Sequence, residues 1–162
     1  MILGLPGETL GSFIKGIDEV RATDTRLFVY HLSVLPNTLM ADPEYQRLYG
    51  IKTVRVPMKE IHSEVRDSSL ITEYEDIVIE TNTMTQSEWR QGAIYAWIAQ
   101  LEQMGVKDIP SIEVERFCYI AYNITKGHSK AKNVEGIYVE PEEAAYMRIT
   151  GKSVEEVIYG RK

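Results

Sequence analysis

Cysteine, positive charge and long apolar runs are all scarce in this chain, and each shortage removes a class of protein. A single cysteine, Cys118, stands among 162 residues. One thiol closes no intrachain disulfide and suits a reducing compartment, so a cytoplasmic location is expected. Eighteen lysines and arginines face 24 aspartates and glutamates, leaving a net charge of −6. Nucleic-acid binders usually carry a basic stripe, and no basic run occurs here, so nucleic acid is not an expected partner. No apolar stretch reaches the ~20 residues that span a bilayer, and no signal peptide is legible, so no membrane partner is expected. The three histidines are scattered, without metal-ligand spacing to one another or to the cysteine. No Ser/His/Asp spacing, internal repeat or low-complexity segment stands out. From these residues alone no metal site is expected and the catalytic residues stay unknown.

What is present is enough for a core. Hydrophobic residues make up 44% of the chain and charged residues 26%, an ordinary globular balance. The organising stretch is Ile2-Leu3-Gly4-Leu5-Pro6-Gly7-Glu8-Thr9, an apolar run that ends in Pro-Gly and passes straight into an amphipathic segment. Strand, tight turn and helix follow each other in that pattern. Thr9 is a suitable N-cap, and Leu10, Phe13, Ile14, Ile17 and Val20 recur at the helical period. A second strand is expected over residues 26–35, closing in Pro36-Asn37-Thr38. Together these make one parallel, right-handed βαβ unit. Its turns at residues 6–9 and 36–38 then share the carboxyl end of the sheet, where α/β folds bind ligands.

ILGLPGET, a helix and then LFVYHLSVLPNT resemble the last two strands of a radical S-adenosylmethionine (SAM) barrel. In that superfamily a strand ending in G-x-P-G-E/Q-T is the fifth of six, and one ending in Y-x-L…P-x-T is the sixth. The continuation, MADPEYQRLYGIKTVRVP and TEYEDIVIETNTMTQSEW, is similar to the region after the barrel in cobalamin-binding members. The family's cluster-binding cysteine triplet has no counterpart here. The resemblance implies an α/β fold, α+β overall: the C-terminal βαβ part of a partial TIM barrel at 1–40, a post-barrel region at 41–104, and a helical extension at 105–162.

The resemblance also carries roles residue by residue. Gly4 and Leu5 correspond to the fifth-strand motif beside the adenine and ribose of SAM. Leu35 and Pro36 correspond to backbone that also meets the adenine. Strand alternation adds a reading of its own. It sets His31 and Ser33 on one face, directed with Ile2 and Gly4 into the lumen toward the methionine moiety or substrate, while Phe28, Leu32 and Val34 face outward. The alternative for His31 is a hydrogen-bonded core histidine. The complete family enzyme would cleave SAM reductively at a [4Fe–4S] cluster to begin radical chemistry such as methylation, with cobalamin as a further cofactor. One cysteine does not supply three cluster thiolates, so the chain alone is expected to hold none of these groups and to be inactive.

Two parallel strands make no stable sheet unaided. The expected partners are therefore the missing amino-terminal half of the barrel, or a split-gene product that supplies it, together with a small-molecule substrate. The competing reading is a non-catalytic module that docks through an exposed apolar sheet edge. Further along, helices are expected from Asp42-Pro43, over residues 59–66, from the Thr85/Glu88 capping box, from Ser111, from Pro141 and from Ser153. Strands are expected at 51–58 and 75–81, and a loop at 127–133. Trp89 and Trp97 read as core packing, and Cys118 as a small buried residue.

Overall fold

In the computed structural model, which describes residues 1–59, 61–62 and 71–160, the first strand β1 (Ile2–Leu3) runs into a tight turn. The Glu8 N–H donates to the Leu5 carbonyl at 3.1 Å, and Gly7 takes a positive φ of 86° at the third position of that turn. Thr9 then caps α1 (Leu10–Arg21), exchanging hydrogen bonds with Ser12 in a capping box. Phe13 and Ile17 are the buried face of this helix. The chain returns in β2 (Tyr30–His31), parallel to β1, with Ile2 opposite Tyr30 and Leu3 opposite His31. The expected βαβ unit is thus present.

The second strand is much shorter than the ten residues expected. The Gln103 side chain explains part of this: its Oε1 accepts from the Leu27 N–H at 2.8 Å and its Nε2 donates to the Thr25 carbonyl at 3.2 Å. A side chain there takes the backbone bonds that a neighbouring strand would have taken. Beyond His31, Ser33 forms an antiparallel bridge with Ile77, supported by Val34 N–H to Asp76 and Val78 N–H to Leu32. The bridge joins β2 to β4 (Tyr74–Glu80), which pairs antiparallel with β3 (Lys52–Pro57). Backbone order across the assembly is therefore β1, β2, β4, β3.

Between β2 and β3, a short 3₁₀ turn (Leu39–Ala41) leads to Asp42, which caps α2 (Pro43–Tyr49), and Gly50 ends the helix in the left-handed region. Leu32, Ile51 and Val78 form a small cluster beneath Met40 and Tyr45. The opposite face of the sheet carries the main core. There Leu3, Phe13, Ile17, Ile77 and Val56 meet α3 (Gln86–Gln103), the longest helix, capped by Thr85 and Glu88 as expected. Next comes α4 (Ser111–Ile124), whose N-cap is Pro110 rather than Ser111.

Cys118 is exposed, against expectation. The buried face of α4 is instead Glu113, Phe117, Ile120, Ala121 and Ile124. Position 118 lies about 100° around the helix from Phe117. Within residues 127–139, where a loop was expected to 133, β5 (Lys132–Val134) and β6 (Ile137–Val139) form a hairpin. Its two turn residues, Glu135 and Gly136, both have positive φ, the pattern of a primed two-residue turn. Finally α5 (Pro141–Thr150) and α6 (Val154–Ile158) start where Pro141 and Ser153 placed them. The helix expected at 59–66 lies largely outside the described residues. The architecture is mixed α/β.

Candidate functional site

The carboxyl end of the β1–β2 pair brings the two expected turns to one side of the sheet. Leu5, Leu35 and Pro36 are exposed there, with Thr38 Oγ1 donating to the Leu35 carbonyl at 2.7 Å to close the second turn. The first turn is tied down from the far side: Thr83 Oγ1 donates to the Glu8 carbonyl at 2.8 Å. Leu5, Leu35 and Pro36 therefore meet solvent on a fixed frame.

Gly4 occupies a tighter place. Its φ is 101°, and a Cβ added there would lie 3.3 Å from the Val78 carbonyl oxygen and 3.6 Å from Trp89 Nε1. Both the conformation and the space call for glycine. Burial pushes the Glu8 carboxyl above its ordinary pKa, against the lowering effect of the nearby Gly4 N–H. Trp89, at the first turn of α3, therefore closes the space that a missing Cβ would otherwise leave beside β1.

His31 packs against the same indole. Their ring centroids are 5.0 Å apart, and the Trp97 ring stands edge-on at 6.3 Å. Because Leu3 is opposite His31, these two share a face, and the expected grouping of Ile2 and Gly4 with His31 is shifted by one residue. That face is the one covered by α1 and α3, whereas Leu32 packs toward α2. The sides are thus the reverse of those expected. Burial first, and the nearby Lys130 charge second, lower the His31 pKa to about 3, so the ring is neutral. Its Nδ1 is buried with no hydrogen-bond partner, so the ring is a core histidine without the bond expected of one.

Ser33 faces elsewhere in its contacts: its Oγ donates to Glu75 Oε2 at 2.6 Å, across the bridge to β4. Sequence reasoning did not single out Glu8 or Trp89 as site residues. Yet Glu8 Oε2, His31 Nδ1 and Trp89 Nε1 are all buried polar atoms without partners, and Gly4 adjoins both Glu8 and Trp89. The signal available was Glu8, next to last in the Gly-Leu-Pro-Gly-Glu-Thr motif.

The residues of this arrangement open to ligand contact are Leu5, Leu35 and Pro36. The arrangement does not suit a [4Fe–4S] cluster held by this chain: Cys118 is its one cysteine and lies on α4. Among the described residues, no group of three His, Cys, Asp or Glu side chains is placed to hold a metal ion. No helix among them is long and apolar enough to cross a membrane.

No family model matches the chain. Over 91 residues it is 36% identical to the cobalamin-dependent radical SAM methyltransferase TokK of Streptomyces tokunonensis. Over 91 residues it is also 35% identical to the 2-(S-pantetheinyl)-carbapenam-3-carboxylate methyltransferase of Streptantibioticus cattleyicolor. Each alignment takes in 55% of this chain and 13% of the relative, so the chain matches only a small part of either protein. The chain is similar, in that part, to cobalamin-dependent radical SAM methyltransferases.

Proposed function

We propose that this chain is the C-terminal segment of a cobalamin-dependent radical SAM methyltransferase, holding the last βαβ unit of its barrel. The observation that carries the reading is the parallel pairing of Ile2–Leu3 with Tyr30–His31 across α1. It puts the G-L-P-G-E-T turn and the Leu35-Pro36 turn at one end of the sheet, and the named relatives bear on the same family. In the complete enzyme, SAM, a [4Fe–4S] cluster and cobalamin would supply the radical and methyl-transfer chemistry.

The residues of this chain would contribute binding and order. Backbone at Gly4, Leu5, Leu35 and Pro36 would border the adenosyl group. Glu8 follows the turn close to Gly4, which takes a positive φ of 101°. His31 and Trp89 form the wall beneath, with a neutral imidazole that adds no charge to it. Cluster thiolates would come from outside these 162 residues.

The rest of the enzyme would add a strand to the open side of β1. Among the described residues β1 pairs only with β2, and Ile2 and Leu5 are exposed. An unpaired strand edge with apolar side chains is an association surface. The same observation favours the second reading, an interaction module without catalysis, so the test must separate the two. Reading the DNA upstream of the Met1 codon does so. An in-frame or adjacent segment encoding a three-cysteine loop and four further barrel strands supports the enzyme. An unrelated upstream gene sinks it.

A further inference from the structure

At the amino end of β2, opposite the Pro6 and Pro36 turns, a cavity of about 640 Å³ lies between residues 23–30, the last turn of α3 and the start of α5. One wall is apolar, from Leu27, Val29 and Met104; the facing wall carries Glu140, Glu142 and Glu143. Carboxylates at the start of α5 favour the helix dipole, which accounts for their presence but not for their burial. Two of them are occupied. Glu143 lies 2.8 Å from His62 Nε2 and accepts from the Glu140 N–H at 3.1 Å, while Glu140 faces Lys130 Nζ at 3.8 Å.

Glu142 differs. Its side chain is more than nine-tenths buried, it lines the cavity, and its Oε2 has no hydrogen-bond partner. A buried carboxyl oxygen without a donor is costly unless a partner arrives from outside the chain. We propose that this cavity binds a compact organic cation, an ammonium or guanidinium group on a short apolar stem, with Glu142 as its counter-charge. The acidic wall excludes an anion. A metal ion is a poorer fit, because no group of three ligating side chains among the described residues is placed to hold one. The volume is that of an ordinary small-molecule site, and the Leu27 and Met104 wall suits a short methylene chain.

Burial, with Glu140 next, raises the Glu142 pKa to about 8. The other titratable and charged groups facing this wall are Glu143, Glu75, Lys130 and His62, with Asp24 and Arg26 across the cavity. At neutral pH Glu142 is therefore mostly protonated, and a bound cation draws it to the carboxylate. Binding releases a proton and tightens as pH rises from about 7 to about 9. This inference does not rest on the proposed enzyme function, and either can fail without the other.

The test is titration of agmatine into the whole chain, followed by calorimetry and by amide NMR. The expected result is saturable binding, with shifts at the Gln100 side chain and at the backbone amides of 26–29, 142 and 143. Nuclear Overhauser contacts from agmatine methylenes to Leu27 and Met104 should accompany them. Glu142→Gln should weaken binding about tenfold or more, and n-butanol should not bind. Absent saturation, shifts scattered over surface carboxylates, equal binding by folded Glu142→Gln, or binding of n-butanol would each overturn the proposal. Should Glu142→Gln not fold, the wild-type methylene contacts and proton release measured in two buffers decide, and the absence of either sinks it.

Discussion

Arg148 of α5 donates through Nε and Nη2 to the carboxylate of Glu113 on α4, at 3.0 Å to Oε1 and 2.7 Å to Oε2. Arg116 reaches the same carboxylate from one turn along α4. Glu113 is buried, and this pairing is what allows an ionised group there.

Arg148→Ala should cost about 3 kcal/mol, the low end for breaking a buried pair, since Arg116 remains. Burial works against the Glu113 carboxylate, but the hydrogen bonds and charges of Arg148 and Arg116 outweigh it and hold its pKa below the ordinary 4.5. The folded pKa is depressed, so this stability is present above 4.5 and lost as pH falls below it. Urea melts at neutral and acid pH should therefore differ less in Arg148→Ala than in the wild type. An equal acid loss in both proteins would refute the assignment.

His31 gives a second pH signature in a different window. Its pKa drops from 6.5 to about 3 on folding, so the unfolded chain binds the extra proton between those values. Stability is full above 6.5 and declines as pH falls, by up to ~1.4 kcal/mol per pH unit from this group. His31→Leu should flatten that decline. At neutral pH it should be close to neutral, because it removes an unpartnered polar atom while keeping similar volume. Parallel pH profiles for the two proteins would show that the ring is not buried neutral.

Trp97→Ala should destabilise by about 3–5 kcal/mol. The side chain is buried, and its ring stands 5.4 Å from that of Phe117, joining α3 to α4. Chemical denaturation with an unchanged midpoint would contradict that packing.

Anaerobic incubation of this chain with iron and sulfide should leave no stoichiometric [4Fe–4S] absorbance. One exposed cysteine on α4 does not meet the thiolate requirement. A stable cluster spectrum would mean that ligands of another kind hold it.

Local chemistry made much of the fold legible. Thr9, Asp42, Thr85 and Ser153 announced helix starts because each cap hydrogen-bonds within three residues of itself, and all four helices begin there. The misses involve distant partners. Gln103 truncates the second strand from 76 residues away, and Glu113, paired with Arg148, joins the buried face of α4 while Cys118 stays in solvent. The hairpin at β5–β6 was hidden because its turn uses glutamate at a positive φ, which local preference disfavours. In the candidate site, the Gly-Leu-Pro-Gly-Glu-Thr motif marked the turn, but only three-dimensional packing joins it to Trp89, more than eighty residues away by the chain.

Helix α5 contributes to both of the larger apolar clusters. Ala145 enters the main core with Trp97 and Phe117, while Ala144 and Met147 enter a smaller one with Val139 and Val154. The smaller cluster is built from residues close in sequence, so its loops close at little entropic cost. Damage to α6 should then be felt in α3 only through α5. In double-mutant cycles, pairs that span the two clusters should add, whereas pairs that include an α5 residue should show coupling. The helix acts as the thermodynamic joint of the chain.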